Sequence, residues 1–291
     1  MDRLDKKALV KYLCALLLFG SNGVVASRIA MGSHEIVFLR TLIGSVFLIA
    51  VFLLGKGTFH IREYKRDALF IVLSGAAMGL SWLFVFEAYR LIGVGFSTLL
   101  YYCGPVIVMI LSPVIFRERL TKPKVVGFVI VLVGLVLVNG KLVGTGNVWG
   151  LFCGAMSAVM LFLLITFNKQ STHIVGMENS VIQLTASFLT VAVFVWAKQG
   201  FALDVPAGSW LWVLMLGLVN TGLGCYLYFS ALSKLPVQTV AVCGYLEPLS
   251  AVVFSAVLLG ERMTPLQVVG AVCIIGGAMI GELVKERAKR P

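Results

Sequence analysis

Long apolar runs leave this chain few choices of solvent. Val125–Val138 holds no charged residue at all. It is one of ten apolar-rich stretches, placed at about 8–26, 35–54, 67–90, 94–116, 123–140, 147–168, 178–197, 209–232, 236–259 and 265–283. A membrane-crossing helix needs about 20 such residues, so ten spans take up about 200 and leave only short loops. That excludes a soluble catalytic or nucleotide-binding domain. Outer-membrane barrels are excluded too, because their strands are about ten residues of alternating polarity. Charged residues make up 13 % and hydrophobic ones 59 %, where a soluble domain carries roughly a quarter charged. Disorder requires a chain poor in apolar residues. The fold class is therefore an all-α polytopic membrane protein. The first run follows Lys6-Lys7 and ends near Val24-Val25-Ala26-Ser27, which resembles a signal-peptide cleavage site. Retention is expected, because this run completes the repeat described below.

The net charge of +11 is topological rather than a nucleic-acid footprint. With ten spans, eighteen of the 24 Lys and Arg residues fall on the side of the N-terminus. Five fall opposite (Arg28, Arg90, Lys141, Lys198 and Arg262), and Arg40 lies within a span. Basic loops stay cytoplasmic, so both termini are expected inside a cell (inner) membrane. The six cysteines all lie in apolar runs without a CxxC pair or a His cluster, which fits small buried hydrophobes rather than a metal site. No cofactor is expected.

The two halves repeat at a constant offset of 143 residues. Glu118-Arg119-Leu120-Thr121 matches Glu261-Arg262-Met263-Thr264, and Val125-Val126-Gly127 matches Val268-Val269-Gly270. Tyr102 and Pro105 match Tyr245 and Pro248, Gly134 matches Gly277, and Glu35 matches Glu178. Residues 1–144 and 145–291 thus form two five-helix repeats. Five is odd, so the second enters the membrane from the opposite face, giving ten transmembrane helices as two inverted repeats. Such symmetry lets the halves exchange conformations, with substrate bound near the midplane between them.

Two five-helix halves, a Glu-Arg-x-Thr turn before each last helix, and a Tyr-x-x-Pro kink in each fourth helix resemble the EamA family of the drug/metabolite transporter superfamily. The resemblance covers about residues 10 to 283. It implies a ten-helix carrier with a central cavity lined mainly by the first four helices of each half. It also implies peripheral fifth helices able to support a homodimer. Family members move amino acids, amines, other metabolites and drugs, often outward.

Ionisable residues inside a span are costly and so mark function. Three stand out: Glu247, Arg40 and Glu87. Their counterparts at the repeat offset, Gly104, Gln183 and Ser230, carry no charge. Shared features build the scaffold, whereas one-sided features are candidates to read substrate or coupling ion. Glu247 sits mid-span beside Pro248, among the small residues Cys243, Gly244, Ser250 and Ala251. A carboxylate there can carry a proton or pair with a substrate amine; the competing reading is a protonated acid bonded to the backbone near the kink. Arg40 and Glu87 lie at similar depth near the outer face, where they are expected to pair as an external gate or carboxylate site, or else to snorkel as a static pair. Trp82, Tyr101, Tyr102 and Tyr245 are candidates to line a cavity, and Asn220 and Thr221 bring polar groups to depth in the eighth span. Pro105 and Pro248 are candidate hinges. Glu35 and Glu178 fit first helical turns, where a carboxylate complements the helix dipole.

The function expected is secondary active transport of a small metabolite by alternating access, outward and coupled to protons. The alternatives are a proton-coupled importer of a small organic cation and a lipid-linked flippase on the same fold. No Walker sequence supplies an ATP motor, and His34, His60 and His173 lie near loops, away from any intramembrane catalytic set. Expected partners are substrate, protons and lipids, with no nucleic acid.

Overall fold

The computed structural model describes residues 6–115, 122–139, 147–200, 203–232, 234–235 and 243–283, all helix and connecting turns without a strand. The Glu118–Thr121 turn, the start of the ninth span and the boundary between the repeats lie outside the described residues. The helices run in chain order: α1 (Lys6–Gly20), α2 (Asn22–Ser27), α3 (Ser33–Leu54), α4 (Lys65–Ile92), α5 (Val94–Tyr101), α6 (Cys103–Ile115) and α7 (Lys122–Asn139). Then come α8 (Val148–Gln170), α9 (Gly176–Gln199) and α10 (Trp210–Leu214), which runs into a π-helical segment, Met215–Leu223. The last are α11 (Gly224–Leu232), α12 (Leu246–Leu258) and α13 (Pro265–Leu283).

Among the described residues six helical stretches are long and apolar enough to cross a membrane: Lys6–Ser27, Ser33–Leu54, Lys65–Ile92, Val148–Gln170, Gly176–Gln199 and Ala207–Ala231. Four shorter apolar helices, Val94–Val108, Val125–Gly134, Leu246–Leu258 and Pro265–Gly277, occupy the remaining expected spans. Large apolar side chains face outward along them, as at Leu54, Val193, Val257 and Val272. In water such a surface would aggregate; against lipid tails it is the stable arrangement.

Four spans depart from a regular α-helix among the described residues. The expected proline kinks lie one turn upstream, with breaks at Tyr102 between α5 and α6 and at Tyr245 before α12. Proline has no N–H to offer the carbonyl four residues back, yet it is tolerated in a first helical turn. Pro105 and Pro248 therefore each sit third in a new helix, and the break falls three residues earlier. The first span breaks at Ser21, and the eighth widens into the π segment that contains Asn220, Thr221 and Gly222.

The helices pack in related sets. α4 lies against α8 and α9, α3 against α9 and the π segment, and α7 against α13. α1 packs on α11 and α12, while α8 packs on α4 and α6. Where α7 meets α13, a Cβ on Gly134 would fall 2.6 Å from the Gly270 carbonyl oxygen, and one on Gly277 2.7 Å from that of Gly127. Only glycine permits this backbone contact, and small residues are what let membrane helices approach.

Candidate functional site

A cavity of about 370 Å3, open mouth included, is lined by Phe19, Asn22, Arg40, Trp82, Tyr102 and Glu247 among others. Its walls come from α1, α2, α3, α4, α5 and α12 and the breaks between them. Of the described residues, the lining draws on the first four spans of the first half and on one helix of the second. The repeat offset supplies the reason for the asymmetry. Gly20 and Asn22 correspond to Leu163 and Ile165, so there the second half carries bulky apolar groups where the first has space and polarity.

Among the described residues Arg40 is the largest fully buried side chain, at 2 % exposure. It is placed by α3, whose Gly44, one turn along the same face, would meet Thr221 Cγ2 at 2.6 Å if it carried a Cβ. The close approach brings the π segment up to the guanidinium, and Arg40 Nε donates to Thr221 Oγ1 at 3.1 Å. Thr221 in turn donates to the Leu216 carbonyl five residues back at 2.8 Å, the spacing of a π turn. On its other sides the guanidinium lies 4.3 Å from the Trp82 ring centroid and 4.9 Å from that of Phe86. These residues are one turn apart on α4. Cation–π contact of this kind is worth about 2 kcal/mol when desolvated. Nη1 has no partner.

Glu247 stands in the first turn of α12. Its carboxyl has Tyr102 as hydrogen-bond partner and lies within the electrostatic reach of Arg40. Its approach to α1 depends on Gly20, where a Cβ would sit 2.0 Å from Ser250 Oγ and 2.9 Å from the Glu247 carbonyl oxygen. Arg40 and Glu247 therefore share one enclosed space.

Arg40 and Glu87 do not pair. Glu87 Oε1 accepts from Arg90 Nη2 at 2.8 Å and Oε2 accepts from Ser33 Oγ, near the ends of α4 and α3. Similar depth in the membrane does not make similar direction: Arg40 turns toward Trp82, on the cavity side. Trp82, Tyr101 and Tyr102 line the cavity. Tyr245 packs against the cluster of Leu99, Cys103 and Val106 and is not in the wall. Asn220 and Thr221 stand behind the wall as braces. Asn220 Nδ2 donates to the Leu18 carbonyl at 2.7 Å and to Ser21 Oγ at 2.8 Å, which holds the break in the first span. Tyr226 packs beside Leu48 and Tyr228 beside Tyr12.

Sequence reasoning missed Phe19, Asn22, Phe86, Tyr89 and Thr98 as lining residues. The available signal was spacing. Trp82, Val85, Phe86 and Tyr89 recur at one helical face, as do Thr98, Tyr101 and Tyr102.

Glu35 and Glu178 act at the ends of helices. Glu35 Oε2 accepts from the Gly32 N–H at 2.7 Å, and Oε1 from Gln199 Nε2 at 2.8 Å. Glu178 takes the His60 N–H at 2.5 Å and its ring Nδ1 at 3.0 Å. Glu261 bonds the N–H groups of Val94 and Gly95 at 2.7 and 2.9 Å, so a carboxylate from one half caps α5 of the other.

The sequence pattern of the EamA-like transporter family matches residues 6–140 and again residues 146–281. The chain belongs to the EamA-like transporter family. It is a multi-pass membrane protein and a transporter, not an enzyme. Among its relatives, the uncharacterized transporter YxxF of Bacillus subtilis is 26 % identical over 97 % of this chain and 91 % of its own. The threonine/homoserine exporter RhtA of Escherichia coli K12 is 27 % identical over 86 % of this chain and 81 % of its own. A solved crystal structure covers 95 % of this chain and 97 % of its own with a TM-score of 0.66. At 18 % identity it speaks for the fold alone.

Proposed function

We propose that this protein exports a small metabolite by alternating access, with two oppositely inserted five-helix repeats, 1–144 and 145–291, rocking about the Arg40–Glu247 cavity. The observation that carries the reading is the joining of two opposite intramembrane charges, one from each half, in one enclosed space. A charge at that depth costs about 2.5–3.5 kcal/mol or more, and packing alone gives no return on it.

The inverted arrangement is supported by the exchange of packing partners. α1 touches α11 and α12 as α8 touches α4 and α6, and each member of the second set is the repeat counterpart of one in the first. The reciprocal glycine contacts of α7 and α13 support it too, since Gly134 and Gly277, like Gly127 and Gly270, are repeat mates. Ten spans with both termini in the cytoplasm follow from the same symmetry and from the basic loops. Outward transport is supported by the exporter among the relatives. Glu247 is the proton-coupling group, because it is the cavity's acidic residue and Tyr102 can take over its hydrogen bond as a proton comes or goes.

The test is flux in proteoliposomes. The wild-type protein is expected to show saturable counterflow accelerated by a pH gradient. Glu247→Gln is expected to keep counterflow but lose the response to the gradient. An unchanged gradient response in that variant would remove Glu247 from coupling. Flux that rises linearly with concentration would replace the carrier with a channel.

A further inference from the structure

Three elements meet at one end of the cavity, and each also supplies part of its lining. On the topology proposed above, α2 and α12 end and α5 begins at the outer face. They meet there without space between them. A Cβ on Gly23 of α2 would overlap Val94 Cγ1, and one on Gly95 of α5 would lie 2.9 Å from Ser255 Oγ of α12. Thr98 stands one turn deeper on α5, Ala251 one turn deeper on α12, and Asn22 beside Gly23. All three line the cavity. The seam of α2, α5 and α12 thus separates the cavity from the outer face.

A carboxylate ties this seam together. α12 ends at Gly260, whose φ of +69° turns the chain, and the Glu261 N–H reaches back to the Ser255 carbonyl at 3.3 Å. This six-to-one bond is the usual close of a helix at a glycine. It aims the Glu261 side chain at α5, where Oε1 accepts from the Val94 N–H at 2.7 Å and Oε2 from the Gly95 N–H at 2.9 Å. Gly93 leaves the space: a Cβ there would lie 2.9 Å from Oε1. Two features make the tie reversible. Glu261 is only half-buried, so on release its carboxylate and the two N–H groups can turn to water, an exchange of hydrogen bonds that costs little. The rest of the seam is small side chains in contact, unlike the backbone contacts of α7 and α13. Other polar ties between the halves sit away from the cavity. Glu178 with His60, and Asp67 with Thr172 and His173, lie more than a turn from any lining residue. We infer that Glu261 is the latch of an outer gate. Its carboxylate on the first turn of α5 holds the cavity shut to the outside, and its release lets α2, α5 and α12 part. This rests on the alternating-access reading above and names the residue that governs its outer step.

The experiment uses the full-length protein in a cysteine-free background with Thr98→Cys as reporter. A small membrane-impermeant thiol reagent is applied to intact cells for the outer face and to inside-out vesicles for the inner face. Glu261→Gln offers one acceptor to two N–H groups. It is expected to speed labelling from outside by about five-fold or more and to slow labelling from inside. Gly23→Ala wedges α2 from α5 and leaves the carboxylate in place, and it is expected to shift both rates the same way. That variant decides the matter where Glu261→Gln fails to fold. The inference is overturned if the outer rate is unchanged in the folded variants, or if both rates rise together, as they would for a merely structural cap. Failure of the carrier reading looks different: the reporter would react equally fast from both faces before any latch residue is changed.

Discussion

At the scale of single residues, the site depends on where Arg40 points, and Thr221 sets that. Thr221→Val keeps the shape and removes the hydroxyl that accepts from Nε. A hydrogen bond to a charged group is worth about 1.5–3 kcal/mol, so substrate Kd is expected to rise about ten-fold or more. Thr221→Ser is expected to restore it. Calorimetric titration checks both, and an unchanged Kd in the valine variant would mean the bond does not aim the guanidinium. Arg40 and Glu247 were legible in the sequence because a charge in an apolar run has few structural uses. Their partnership was not. Depth along a span follows from counting residues, but direction around it depends on which face finds a glycine, here Gly44, to let a neighbour in. Asn220 and Thr221 were legible as polar groups at depth, while their role as braces came from the π turn, which aims the Asn220 amide at Leu18 and Ser21. Phe86 and Tyr89 were hidden because an aromatic residue in an apolar run looks like packing.

At the scale of elements, two contacts between the halves make definite predictions. The reciprocal glycines of α7 and α13 leave no space for a methyl group, since backbone rather than a flexible side chain meets it. Gly134→Ala is expected to cost about 1–3 kcal/mol through overpacking, and Gly277→Ala about the same, read as lowered Tm in detergent. A drop in only one of the two would contradict the equivalence of the contacts. The second contact joins the loop after α3 to the first turn of α9. There Glu178, as a hydrogen-bond partner, raises the His60 pKa above its ordinary value of 6.5, and Glu63 adds to the effect. A raised folded pKa stabilises the folded state fully below the unfolded value, and the gain disappears as pH rises through the folded value. The Tm advantage of wild type over His60→Gln is therefore expected at about pH 5.5 and absent by about pH 8.5. An advantage unchanged between the two would show that the imidazole's charge adds nothing there. The first turn of α9 was foreseen as a place for a carboxylate; its reach to His60 was not, because a loop's path is not written in periodicity.

At the scale of the whole molecule, the repeat explains what the elements do separately. The pairing of spans, the twin breaks at Tyr102 and Tyr245, and the glycine seam all follow one offset, and all were traceable to the sequence because symmetry repeats its signals. The cavity breaks that symmetry, and sequence alone gave its charges without its walls. The account stands on the halves entering the membrane from opposite faces, and the repeat mates Lys65 and Gly208, both exposed, report on this directly. In a cysteine-free background, each is replaced by cysteine in turn and treated on intact cells with a membrane-impermeant maleimide. The account predicts immediate labelling of Gly208→Cys and labelling of Lys65→Cys only after the membrane is permeabilised. Labelling of both from the same side would contradict it.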